Sequence, residues 1–235
     1  MEDVRAKYFV NSLKSTKNGL IKDSSFFRVE FKMRWISGLT LKLLKSTISN
    51  EGISEVKYLN SKILNSKDKG YILVEGCNFI EMCGDLRCST ELIKGGYPTN
   101  TIDISNSTFR GIKGDGEHNI FATNGGTLNI KNHSYFMSNS GITGGIVRMT
   151  SNLYLNISDS FFYDNEAHSA GAVHFLGPGF LEISGSHFEG HNAEHSGGVF
   201  RFSDHNIFTI KKTSFIRNSA HDEGSVAKFI DVSYD

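Results

Sequence analysis

Histidines and cations recurring at fixed intervals are the residues of this 235-residue chain whose types could do chemistry. His168, His195 and His221 stand 27 and 26 residues apart. Imidazole is the commonest metal ligand, so such a row invites a zinc or copper reading. Like residues on adjacent strands form a line at about 4.8 Å spacing, whereas zinc asks for a tetrahedron. The row therefore reads as a by-product of repetition, and neither metal nor cofactor is expected.

Arg148, His174, Arg201 and Lys228 form a second series, at intervals of 26, 27 and 27 residues. Each alternates with apolar neighbours, which places the four on one outward face of a strand. They read as a solvated surface, or as a basic stripe suited to an acidic polysaccharide. Cys77, Cys83 and Cys88 lie within twelve residues, but their number is odd and they form no CxxC pair. They read as small buried residues, with one disulfide available to a secreted protein. Gly114-Asp-Gly-Glu-His118 is the best local carboxylate pair. Glycoside hydrolysis needs two carboxylates roughly 5–9.5 Å apart, yet this segment interrupts a repeat and reads as a turn insertion. The paired-Asp, Gly-His-Gly and Arg-x-Lys signatures of polygalacturonases are missing, so no catalytic residue is assigned. The triplets beginning at Asn106, Asn132 and Asn156 are N-glycosylation sequons, relevant only on a eukaryotic secretory route.

Composition narrows the classes further. The chain is 38% hydrophobic and 21% charged, which suits a folded domain. It has 24 Gly and 18 Phe but only 2 Pro, as a strand-rich fold with tight turns would. Lys and Arg balance Asp and Glu at 25 each. Residues 1–70 hold 14 basic against 7 acidic residues, and residues 71–235 hold 11 against 18. The acidic larger part makes nucleic acid a poor partner. No apolar run reaches the roughly 18–20 residues that span a bilayer, and the N-terminus carries no signal-peptide core.

What positions these residues is a repeat. The segments Ile72-Leu-Val74, Ile102-Asp-Ile104, Leu128-Asn-Ile130, Leu155-Asn-Ile157, Leu181-Glu-Ile183 and Phe208-Thr-Ile210 recur at intervals of 26–30 residues. Their alternation is that of half-buried strands, with Asp103, Asn129, Asn156, Glu182 and Thr209 pointing outward. An aromatic follows five residues after each strand: Phe79, Phe109, Tyr135, Phe162, Phe188 and Phe215. Stacked coils would gather these rings into a column. Turn asparagines come next, at Asn139, Asn165, Asn192 and Asn218, and six residues after each stands Gly145, Gly171, Gly198 or Gly224. Asn tolerates left-handed backbone and can form ladders between coils, and Gly permits close approach. A second apolar strand follows each glycine. The expected fold is all-β, a right-handed parallel β-helix with coils of about 26–27 residues. Residues 71–235 carry the repeats, and residues 1–70 read as degenerate coils or an N-terminal cap.

Phe136-Met-Ser-Asn139 precedes Gly144-Gly-Ile-Val147, Phe162-Tyr-Asp-Asn165 precedes Ala170-Gly-Ala-Val173, and Phe215-Ile-Arg-Asn218 precedes Gly224-Ser-Val226. A fourth copy, Phe188-Glu-Gly-His-Asn192 before Gly197-Gly-Val199, has one extra residue. These copies resemble the repeats of chlamydial polymorphic membrane proteins and related protist surface proteins. The resemblance covers residues 125–235 well and residues 71–124 thinly. It implies a pectin-lyase-like β-helix acting as an adhesin, cell-surface or extracellular, with a glycan or a host or matrix ligand as partner. This chain lacks the membrane barrel or helix of that family and ends in mid-pattern, as a fragment of a longer protein would. The expectation is therefore a non-catalytic binding surface. The alternatives are a polysaccharide lyase or hydrolase on the same fold, and a structural spacer.

Overall fold

A computed structural model describes residues 18–23, 25–27, 40–49, 64–66, 70–81, 92–95, 100–114, 120–151, 153–204 and 206–230. Among these residues every element is a strand, every strand pairing is parallel, and there is no helix. The chain is a parallel β-solenoid, as the repeat implies.

Each complete coil contributes one strand to each of four sheets. The first sheet has eight strands, among them Thr101–Ser105, Gly126–Lys131, Leu153–Ser158 and Gly179–Ser184. The second also has eight, including Thr108–Arg110, Tyr135–Met137, Phe161–Tyr163 and His187–Glu189. The third sheet is short and comprises Ser140–Thr143, Glu166–Ser169, Asn192–Ala193 and Ser219–Ala220. The fourth has seven strands, including Val147–Met149, Val173–Phe175, Phe200–Ser203 and Ala227–Ile230. In the N-terminal third, Asn18–Lys22 pairs with Thr40–Leu44, which pairs with Tyr71–Glu75, so the first sheet continues into that region.

The core follows from alternation within each strand. Ile104, Ile130, Ile157 and Ile183 are in register in the first sheet and fully buried. In the second sheet the in-register column is Phe79, Phe109, Phe136, Phe162, Phe188 and Phe215. Its rings stack nearly parallel at 4.4–5.3 Å between centroids. Phe121 and Phe200 of the fourth sheet meet the stack edge-on. Burying one such ring contributes roughly 1.5–3 kcal/mol before any stacking gain.

One expected member of the stack is corrected. Tyr135 points outward and packs on Phe161 at 4.9 Å, and Phe136 takes the inward place. The corner before it carries two consecutive left-handed residues, Asn132 (φ 55°) and His133 (φ 58°), where other coils have one. The additional corner residue moves the inward position on by one.

Bends between sheets are made by columns of left-handed residues. Asn106, Asp159, Gly185 and Lys212 turn the chain from the first sheet to the second. Gly111, Ser138, Asp164, Gly190 and Arg217 do so between the second and third. Gly144 (φ 84°), Ala170 (φ 61°), Gly197 (φ 75°) and Gly224 (φ 70°) do so between the third and fourth. Ala170 shows that a β-carbon is tolerated there, at a cost of roughly 1–2 kcal/mol.

Candidate binding surfaces

The asparagine ladder lies at the corner between the second and third sheets. Asn139 and Asn165 are fully buried. Asn139 Oδ1 accepts from the Ile112 amide of the coil before, at 3.0 Å. Asn165 Oδ1 accepts from the Asn139 amide at 3.0 Å and from Asn139 Nδ2 at 2.9 Å. The Nδ2 groups of Asn139 and Asn165 donate to the carbonyls of Phe109 and Phe136, each at 3.0 Å. Thus each amide side chain satisfies backbone groups that the bend leaves unpaired.

The third rung is His191, which corrects the expectation of Asn192. The His191 ring takes the Asn165 amide on Nδ1 at 3.2 Å, and its own amide donates to Asn218 Oδ1 at 3.0 Å. Asn192 is the exposed first residue of its strand, where its Oδ1 accepts from Ser219 Oγ. Counting three residues from the stacked Phe188 reaches His191. The additional residue of this coil lies later, between Glu194 and Gly197, because His168 O receives the His195 amide whereas Gly197 O receives the Gly171 amide. Burial holds the His191 ring at about 4, well below the ordinary imidazole value. The ring is therefore neutral at pH 7, and its Nε2 is buried without a partner.

The glycine column also shifts by one place. Gly145, Gly171 and Gly198 stack so closely that a β-carbon on Gly145 would lie 2.3 Å from Gly171 O, and one on Gly171 2.2 Å from Gly198 O. The next member is Ser225, whose carbonyl faces Gly198. Gly224 belongs instead to the left-handed column of Gly144 and Gly197.

The basic series forms one column in the fourth sheet, with Arg148, His174, Arg201 and Lys228 in register on consecutive strands. The expected exposure is corrected. Arg148, Arg201 and Lys228 are half-buried, and His174 is only 4% exposed. The tight bend at Gly144-Gly145 folds the third sheet back toward the outer face of the fourth. Arg201 Nη1 reaches across it to donate to Ser169 Oγ at 2.6 Å. Lys228 pairs with Glu223. Burial, with the Arg201 and Arg148 charges beside it, lowers the His174 ring to about 4.

The expected histidine row is formed in part, with the His168 and His195 rings edge-on at 4.1 Å between centroids, and its members pair with carboxylates on the edge of the third sheet. His168 Nδ1 meets Glu194 at 2.6 Å, while Asp222 lies between His195 at 3.0 Å and His221 at 2.9 Å. The hydrogen bond from His221, then that from His195, holds the Asp222 carboxyl below its ordinary value. Ser140, Glu166, His168, Asn192 and Glu194 line a pocket of about 240 Å³ on this edge. Among the described residues no three His, Cys, Asp or Glu side chains could hold a metal ion together.

Sequence reasoning passed over the outer wall of the first and second sheets. Tyr154 (50% exposed) and Phe180 (40%) stack at 4.6 Å in mid-solenoid, with Ile207 next in register. Beside them, Asn129 Nδ2 donates to Asp103 Oδ1 at 2.6 Å and Asn156 Nδ2 to Asn129 Oδ1 at 2.8 Å. Around the corner Tyr135, Phe161 and Tyr163 form a second aromatic group. The missed signal was two aromatics at outward positions of successive repeats. Cys77 is buried and free, whereas Cys83, Cys88 and Asp115–His118 lie outside the described residues.

Protein-family models, curated proteins and solved structures offer no match to the chain. Among the described residues no helix is long and apolar enough to cross a membrane.

Proposed function

We propose that this chain is a non-catalytic, adhesin-like β-solenoid that presents a repeat-built binding surface for glycans at the cell surface or outside the cell. The observation that carries this reading is the exposed Tyr154–Phe180 stack beside the Asp103–Asn129–Asn156 ladder. Large aromatics normally bury their faces, and an outward strip of them marks an interaction site. Sugar rings have the matching chemistry, with apolar C–H faces to stack and hydroxyl edges to meet amides and carboxylates. Stacking one contact per coil makes the surface multivalent. The resemblance of the Phe-x-x-Asn and Gly-Gly copies to polymorphic membrane proteins agrees with a surface role.

The test is binding to a panel of soluble neutral polysaccharides, with reducing ends assayed in parallel. Tyr154→Ala and Phe180→Ala should each weaken binding about tenfold while leaving the melting temperature nearly unchanged. Unchanged affinity in both variants would overturn the reading. New reducing ends would favour the second reading, a hydrolase, whose site would be the pocket holding Glu166 and Glu194.

A further inference from the structure

We propose that the cleft between the third and fourth sheets binds the anionic groups of an acidic glycan, with one His174 ring nitrogen and the Arg201 guanidinium group as its donors. The inference goes beyond the neutral-glycan surface and assigns a second site in the fourth sheet.

His174 is 96% buried, yet neither of its ring nitrogens has a hydrogen-bond partner. A neutral imidazole carries one donor and one acceptor. Folded proteins rarely leave both dry, and such a group calls for a missing partner. Register places Arg148 on the strand before His174 and Arg201 on the strand after. At one strand spacing, about 4.8 Å to either side, two guanidinium groups flank the ring.

The facing wall supplies hydroxyls. Thr143 Oγ1 is buried and unpartnered, and Ser169 Oγ holds Arg201 through a single neutral contact. The Arg201 Nε is also buried without a partner. The carboxylate that continues this wall, Glu223, is taken up by Lys228. The cleft thus gathers the Arg201 Nε, one His174 nitrogen and the Thr143 hydroxyl as buried donors without an acceptor. A carboxylate or sulfate, which only accepts, complements those donors, and a sugar hydroxyl can donate to the remaining His174 nitrogen. Guanidinium groups suit both anions through paired N–H donors. A polymer bearing one such group on each sugar would meet several coils at once.

The full chain would be titrated calorimetrically with polygalacturonate, which carries carboxylates alone, and with dextran sulfate, which carries sulfates alone. Uncharged dextran is the control. At least one polyanion is expected to bind. His174→Leu and Arg201→Gln should each weaken it about tenfold. The preferred polymer assigns the anion. Melting curves establish that both cleft variants fold. Failure of both polyanions to bind would overturn the proposal. So would equal binding by the wild type and both cleft variants, which would mean general surface charge. Neutral-glycan binding that is lost only in Tyr154→Ala would then leave the broader function standing, so the two readings fail separately.

Discussion

The asparagine ladder and the basic column are built alike, with one polar residue per coil, and they end in opposite states. In the ladder Asn139 and Asn165 spend their amide groups on the Ile112 and Asn139 amides and the Phe109 and Phe136 carbonyls. In the column His174 has no partner for either nitrogen. The first is closed at its asparagine rungs, where side chains finish what a bend leaves undone, and only His191 Nε2 stays unpaired. The second is open at His174, whose ring is polar and shielded without being satisfied. Repetition alone therefore does not separate scaffold from site. The separation lies in whether the next coil completes the hydrogen bonds.

The sharpest way to break this comparison is to attack the closed side. Gly171→Ala should cost more than about 4 kcal/mol, because the new β-carbon would lie 2.2 Å from a backbone oxygen. Urea unfolding would show it as loss of the folded baseline or a greatly lowered midpoint. Asn165→Ala should cost about 3 kcal/mol, since the buried Asn139 amide and Phe136 carbonyl lose their partners. Asn192→Ala, one residue beyond the equivalent rung of the next coil, should cost less than about 0.5 kcal/mol. Equal losses in these two variants would contradict the placement of His191, not Asn192, as the third rung.

The histidine rung sharpens the comparison through pH. His191 is held at about 4 when folded, against an ordinary value of 6.5. Above pH 6.5 it is neutral in both states and contributes no pH dependence. Between pH 6.5 and 4 the unfolded chain takes up a proton that the folded chain refuses, so stability falls as pH falls. The loss is about 3 kcal/mol for this ring, and His174, also held at about 4, adds a similar one. Chemical unfolding across that window should show the decline. His191→Asn should remove about half of it. The same variant should raise stability at pH 7 by about 1 kcal/mol, because a fourth amide could reach the Phe162 carbonyl as its neighbours reach Phe109 and Phe136. The smallest effect is expected at the third corner, where Ala170→Gly should stabilise by about 0.5 kcal/mol through relief of left-handed strain.

Much of this architecture was legible in the residues. The Ile104–Ile130–Ile157–Ile183 column and the outward Asp103–Asn129–Asn156 ladder follow from period-two alternation at a constant repeat. Tyr135 and Asn192 were placed one residue off for a shared reason. Each coil absorbs length changes at its corners, at Asn132-His133 in one and at His195-Ser196 in another, and spacing does not show which corner has grown. The third sheet, with strands of two to four residues such as Asn192–Ala193, is too short and polar to announce itself. The shielding of His174 was illegible for another reason. Alternation assigns inside and outside relative to one sheet, whereas His174 is covered by a neighbouring sheet across the Gly144-Gly145 bend.

The thermal stability of His174→Leu at pH 7 tests the open state of the column most directly. An apolar side chain of similar size needs no partner, so the variant should melt at or above the wild-type temperature. A clear fall in melting temperature would mean that the His174 nitrogens are already satisfied within the fold, and that the basic column is scaffold like the ladder.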